Sequence, residues 1–257
     1  MQQLTIIKVG GKIVEEPDTL AALIADFARI PGLKLLVHGG GRSATRLATQ
    51  LGIEQKMVDG RRITDADTLR IVTMVYGGLV NKNIVTSLQA EGINAIGLTG
   101  ADMDIIRSHR RPAGEIDYGF VGDVDRVDAQ AIARLLDAGL VPVIAPLSHD
   151  GHGSMLNTNA DTIASEVACA LAPLFDTTLT FCFEKPGVLA DENDDSSVIK
   201  KIDRATYQQL RDRNIIAGGM IPKLDNAFKA LNSGVKEVII TKADAIAVPG
   251  SGTVICN

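Results

Sequence analysis

The sequence predicts an α/β fold, a three-layer αβα sandwich around a mainly parallel open sheet. Three observations carry this reading. Short apolar runs alternate with helical patterns through most of the 257 residues. Glycine turns follow three of those runs, at Gly10-Gly11, Gly39–Gly41 and Gly97–Gly100. No Pro/Ser-rich linker and no internal repeat divides the chain. Strands alternating with helices build a parallel sheet covered on both faces, and ligands collect at the carboxyl ends of its strands. One domain over 1–257 is expected, with two functional lobes, 1–175 and 176–257.

The first strand covers Leu4–Val9, and a helix follows with apolar positions at Leu20, Leu23, Ile24 and Phe27. "KLLVHGGG" is the next strand and turn, and "RSATRLATQLG" the next helix. "KMVDGRRIT" alternates around Asp59-Gly60, a hairpin signal. A long helical stretch spans about Asp65–Gln89, and "NAIGLTG" is a third buried strand. Between Asp104 and Arg126 the pattern loosens into β-hairpin material. Helix "AQAIARLLDAG", strand "LVPVIAPL" and helix "NADTIASEVACALA" restore the rhythm. Strand and turn "TTLTFCFEKPGVL", helices "RATYQQLRDRN" and "MIPKLDNAFKALNSG", and strands "VKEVIITK" and "GTVIC" complete the chain.

Composition narrows the function. At 46% hydrophobic and 22% charged residues, the chain is that of an ordinary globular protein. A net charge of −5 argues against a broad nucleic-acid surface, and no apolar run reaches the length of a membrane helix. Cys169, Cys182 and Cys256 are unclustered, as expected of reduced thiols in a cytoplasmic protein. His149 and His152 read as a solvated loop, so no metal site is expected.

"KVGGK" is not a P-loop, because Lys12 is followed by Ile13 and no glycine stands five residues before Gly11. Gly39-x-Gly41-x-x-Ala44 matches the dinucleotide fingerprint only loosely, since a hairpin with Arg61 and Arg62 stands where a strand ending in an acid should follow. Three successive glycines do let backbone N–H groups approach an anion at a helix start.

"KVGGK", "VHGGG", "GRRIT", "NTNAD" and "GGMIPK" occur in this order between Lys8 and Lys223. That series resembles the amino acid kinase family and, within it, the acylglutamate kinases. The resemblance implies phosphorylation of the side-chain carboxylate of N-acetyl-L-glutamate, or of another N-acyl-L-glutamate such as N-succinyl, by ATP with Mg²⁺ riding on its phosphates, in arginine biosynthesis. A carboxylate nucleophile is already ionised near neutrality, so repulsion between two anions is the problem to be solved. Lys8, held on a rigid strand, and Lys223, just after Pro222, are expected to stabilise the transferring phosphoryl group, with Asp161 orienting both.

On the substrate side the resemblance implies Gly40, Gly41, Arg62 for the α-carboxylate and Asn157. Arg61 should point away, and Asn159 should cap the following helix. On the ATP side it implies Gly10, Gly11, Ile216, Ala217 and Met220. "FCFEKPGVLAD" departs from the family's Ser/Thr-Asp-Val-x-Gly turn, leaving Glu184, Lys185 and Gly187 as candidate nucleotide contacts. That departure is also what an alternative reading, a non-catalytic sensor of amino acid or nucleotide, would rest on. A homodimer is expected, either through the stripe Ile71, Met74, Val75 and Leu79 or with that stripe buried within the subunit. Because the first strand opens the chain, no arginine-inhibited hexamer is expected.

Overall fold

The computed structural model describes residues 1–58, 61–216 and 220–257. The hairpin turn at Asp59-Gly60 and Ala217, with Gly218 and Gly219, lie outside them. In chain order the elements are β1 (Gln3–Val9), α1 (Gly11–Glu15), α2 (Pro17–Arg29), β2 (Leu33–His38), α3 (Gly41–Gln50), β3 (Met57–Val58) and β4 (Arg61–Arg62). There follow α4 (Ala66–Val72), a π-helical segment Thr73–Val80, α5 (Asn81–Ala90), β5 (Ala95–Leu98), β6 (Ile106–Arg110), β7 (Gly122–Val127), α6 (Ala129–Asp137) and β8 (Val141–Ile144). The remainder is β9 (Leu147–His149), β10 (Met155–Asn157), α7 (Ala160–Leu171), β11 (Asp176–Phe183), β12 (Lys201–Ile202), α8 (Arg204–Asp212), α9 (Met220–Asn232), β13 (Glu237–Lys242) and β14 (Thr253–Ile255).

An eight-stranded sheet in the order β12-β14-β13-β11-β1-β2-β8-β5 runs through the molecule, and only its β13–β14 pair is antiparallel. β1 lies near its middle, with Lys8 opposite Phe181 of β11 and Val37 of β2. Strand side chains alternate between faces. Ile7 and Val9 therefore join the core layer under α2, with Leu23, Ile24 and Phe27. Leu4 and Ile6 join the opposite layer, with Ile163 and Val167 of α7 and Leu224 and Phe228 of α9. Lys8 shares the parity of Leu4 and Ile6, so it points to the layer in which α7 and α9 begin.

The expected strand "LVPVIAPL" is instead two. β8 ends in the large sheet at Ile144; β9 joins a four-stranded sheet of order β10-β9-β6-β7. Pro146 has no N–H to continue a ladder, and Leu147 turns back to the Ala145 carbonyl at 2.8 Å. His149 departs from the expected solvated loop: it ends β9, half-buried, with its ring Nε2 2.7 Å from Asp104 Oδ1. His152 is exposed as expected. The long helical stretch forms, capped by Asp65 on the Thr68 N–H at 2.8 Å, but its middle widens into the π-helical segment. Of its apolar stripe, Ile71 and Val75 are buried, whereas Met74 and Leu79 are exposed.

Lys34 closes the carboxyl end of α2. Its buried ammonium donates to the carbonyls of Phe27 (3.0 Å), Ala28 (3.0 Å) and Ile30 (2.8 Å), while burial pushes its pKa down. A cation there complements the helix dipole and satisfies carbonyls the helix itself cannot. Lys34→Met should destabilise the fold by about 1.5–3 kcal/mol, the range for hydrogen bonds from a charged donor. Denaturant unfolding checks this; an unchanged midpoint would remove the assignment.

Candidate active site

Two glycine turns abut at the carboxyl ends of β1 and β2. Gly39 N–H donates to the Val9 carbonyl at 2.9 Å. A Cβ on Gly39 would lie 2.9 Å from the Gly11 nitrogen, and one on Gly11 would lie 3.0 Å from the Gly40 nitrogen. Only hydrogen at these positions lets the turns close on one another. Beneath them, fully buried His38 approaches the Gly39 carbonyl through Nδ1 at 2.7 Å and Asn81 Nδ2 through Nε2 at 3.1 Å. Burial holds its imidazole at a pKa of about 4. The ring is therefore neutral at physiological pH, with Nδ1–H donating and Nε2 accepting.

A cavity of about 730 Å³ opens over these turns, lined by Lys8, Gly10, Gly11, Lys12, Asp161, Phe183, Glu184 and Lys223 among others. Lys8 Nζ stands 2.6 Å from Asp161 Oδ1, off the axis of an aligned hydrogen bond, and both side chains are largely buried. The backbone N–H of Asp161 donates to the side chain of Asn159, at 2.8 Å, in the cap of α7. That is the capping role expected of Asn159. Lys223, early on α9, comes from the other side and lies 3.7 Å from the Phe183 ring centroid; Lys8 lies 5.4 Å from the same ring. Burial lowers the Lys223 pKa, Asp161 opposes this, and Lys8 adds to the lowering. Asp161 thus grips Lys8 directly and reaches Lys223 only through its field.

Phe183 was not singled out by the sequence reading, although it stands first in the unusual "FEKPG". Its ring is an electron-rich platform under two ammonium groups. A hydrophobic residue one step before Glu184, on a strand whose parity turns it toward the cavity, was the available signal. Cys182, on the other parity, is fully buried, and burial raises its thiol pKa to about 12, which leaves it inert.

A second cavity of about 240 Å³ adjoins the first and shares Gly11, Gly41, Met57 and Arg62 with it. Arg62 is buried and its guanidinium faces neutral acceptors: Gln55 Oε1, the Gly41 carbonyl (2.9 Å) and Thr45 Oγ1 (2.9 Å). Arg61 is exposed, on the opposite face as strand alternation requires, and also reaches the cavity wall. Asn157 donates to Thr64 Oγ1 at 3.0 Å and lines the same cavity, as do Gly40 and Gly41. Tyr76, another residue missed from the sequence, is delivered by the π-helical segment. Its ring fills the space a Gly40 side chain would need, 2.9 Å from a Cβ built there.

The nucleotide-side residues divide. Gly10, Gly11 and Glu184 line the larger cavity, with Glu184 2.7 Å from Lys12 Nζ. Lys185 does not come to it: its ammonium turns to Asp195 Oδ1 (2.9 Å) and the Glu192 carbonyl (3.3 Å) on an acidic loop. Gly187 packs instead against Thr253 and Val198. Ile216 is buried in the core, and Met220, partly buried, packs against that core. Ala217 lies outside the described residues. Among the described residues no group of three His, Cys, Asp or Glu side chains gathers to hold a metal. The carboxylates on the larger cavity, Asp161 and Glu184, each face a lysine.

A sequence model of the amino acid kinase family matches residues 3–242. A protein of Phocaeicola vulgatus named acetylglutamate kinase is 68% identical over 254 residues, covering 99% of this chain and 98% of its own. A protein of the same name from Bacteroides thetaiotaomicron is 67% identical, covering 95% of each. A solved structure from Streptococcus mutans, 30% identical, superposes with a TM-score of 0.79 over 98% of both chains. With the family's span running from β1 through β13, and with lysines and glycine turns meeting where its strands end, this chain belongs to the amino acid kinase family.

Proposed function

We propose that the protein is an ATP-dependent acylglutamate kinase that phosphorylates the side-chain carboxylate of N-acetyl-L-glutamate in arginine biosynthesis. The observation that carries this reading is the meeting of Lys8, Asp161 and Lys223 over two abutting glycine turns, beside a pocket with a buried arginine that has no carboxylate partner among the described residues. In the two-lobe arrangement, residues 1–175 hold the acylamino acid and residues 176–257 the nucleotide.

Phosphoryl transfer to a carboxylate requires no base; it requires that two anions approach in line. Lys8 and Lys223, with the N–H groups of Gly10 and Gly11, offset the charge that spreads over the transferring oxygens. Asp161 keeps Lys8 fixed, so little reorganisation is needed as charge moves. Arg62 exchanges neutral acceptors for the substrate α-carboxylate, a stronger partner for its planar fork, and Asn157 hydrogen-bonds the same end of the substrate. Mg²⁺ enters as part of the nucleotide substrate, bound by its phosphates rather than by a protein cage.

The working form is a homodimer, with exposed Met74 and Leu79 on the helical stretch as candidate contacts. Light scattering before and after Leu79→Glu tests this, and an unchanged mass would exclude that face. Three free thiols suit the reducing cytoplasm. No helix among the described residues is long and apolar enough to cross a membrane.

Lys8→Ala should lower kcat about 10²–10³-fold, the range for removing one preorganised donor, with far-ultraviolet circular dichroism unchanged. Near-wild-type turnover would dismiss its role. Arg62→Ala should raise KM for N-acetylglutamate by an order of magnitude or more, at about 2–5 kcal/mol for a lost buried charge partner, while the KM for ATP stays put. For Lys223 the sign follows from its lowered pKa. The ammonium is present below that value and lost as pH rises through it, so kcat should fall on the alkaline side earlier than an ordinary lysine would dictate. A kcat–pH profile whose alkaline limb is unmoved in Lys223→Arg would contradict the assignment.

A further inference from the structure

Below the abutting glycine turns runs a chain of polar groups that lines neither cavity. It begins at His38, fully buried at the end of β2. The ring lies 2.7 Å from the Gly39 carbonyl through Nδ1 and 3.1 Å from Asn81 Nδ2 through Nε2. Asn81, also buried, sends its other amide proton to the Val143 carbonyl at 2.9 Å, and its Oδ1 accepts from Lys82 Nζ at 3.1 Å. The Lys82 ammonium also donates to the Gly97 carbonyl at 3.1 Å.

Every role in this chain is fixed. A carbonyl only accepts and an ammonium only donates, so the Asn81 amide cannot be turned over. Its NH₂ therefore faces His38, Nε2 must accept, and Nδ1 carries the proton that goes to the Gly39 carbonyl. Gly97 belongs to the same arrangement. A Cβ there would overlap Asn81 Oδ1 and lie 2.6 Å from Lys82 Nζ, so the first glycine of the expected third turn makes room for Asn81.

The consequence falls on the next peptide. The Gly39–Gly40 bond is trans, so its carbonyl and its N–H point in opposite directions. With the Gly39 carbonyl drawn down to His38, the Gly40 N–H points to the cavity side. That N–H has no acceptor among the described residues. Gly40 lines the smaller cavity, beside Gly11 and Gly41, which both cavities share. Resting on the kinase reading above, we propose that His38, held by Asn81, is a positioning residue that fixes the Gly39–Gly40 peptide so that the Gly40 N–H meets an oxygen of the transferring phosphoryl group. A donor fixed in advance needs no reorganisation as charge develops, so its loss appears in kcat and in neither KM.

The test compares variants of the full chain by ADP release with N-acetyl-L-glutamate. His38→Leu removes both ring contacts and should lower kcat about 10²–10³-fold, the range for one preorganised donor, with both KM values unchanged. An asparagine places its amide where Nδ1 stands, whereas a glutamine places its amide where Nε2 stands. His38→Asn should therefore turn over at least about ten-fold faster than His38→Leu, the size of one hydrogen bond, and His38→Gln should not. A role in packing alone predicts the reverse, because glutamine fills the volume of the ring better. Near-wild-type kcat in His38→Leu, or His38→Gln matching His38→Asn, overturns the proposal. A second measurement uses the unaltered protein and does not depend on the variants folding. The Gly40 amide proton resonance should move downfield when MgADP, aluminium fluoride and N-acetylglutamate bind together, and an unmoved resonance overturns the proposal. No turnover by the unaltered protein overturns the kinase reading itself and this inference with it.

Discussion

Two opposite charges are buried side by side at the centre of this molecule, and most of the site follows from what that pair demands. Lys8 lies inside a strand whose neighbouring positions are fully buried, where an unpaired charge is costly. Asp161 makes it tolerable at 2.6 Å. To reach that distance α7 must start beside the end of β1, which requires its first turn to be closed by Asn159. Losing either partner leaves an uncompensated buried charge, a penalty of about 3–5 kcal/mol. The same contact holds the Lys8 ammonium at the wall of the larger cavity.

Around this pair the protein uses the absence of side chains as deliberately as their presence. Gly39 and Gly11 let two strand-to-helix turns approach within backbone contact. Gly40 yields its space to Tyr76. That ring arrives because a π-helical segment, with wider turns than an α-helix, shifts the facing of the residues along it. His38 underneath supplies a fixed neutral hydrogen-bonding ring rather than a proton switch, since full burial keeps it uncharged across the physiological range.

The two cavities are electrostatically different. The larger presents lysines, compact charges that adapt to moving oxygens, with an aromatic ring behind them. The smaller presents arginines, planar forks suited to carboxylates that stay still. This division matches a reaction in which one end of the substrate is held and the other reacts. The acidic groups on the larger cavity, Asp161 and Glu184, are each paired with a lysine.

The mainly parallel sheet, the glycine turns, the hairpin arginines and the cap at Asn159 were all legible in the sequence. They depend on local rules: side-chain parity, turn conformations and short-range hydrogen bonds. The strand identity of Lys8 and the helix starts of Asp161 and Lys223 belong to the same class. What sequence could not decide was every outcome settled between distant segments. Pro146 moved half of an expected strand into another sheet because the second sheet offered it partners. Phe183 came under both lysines only once β1, β11 and α9, far apart in the chain, had docked. A sequence determines which groups a segment can present, but their pairings depend on through-space distance, and only the packed tertiary structure fixes that.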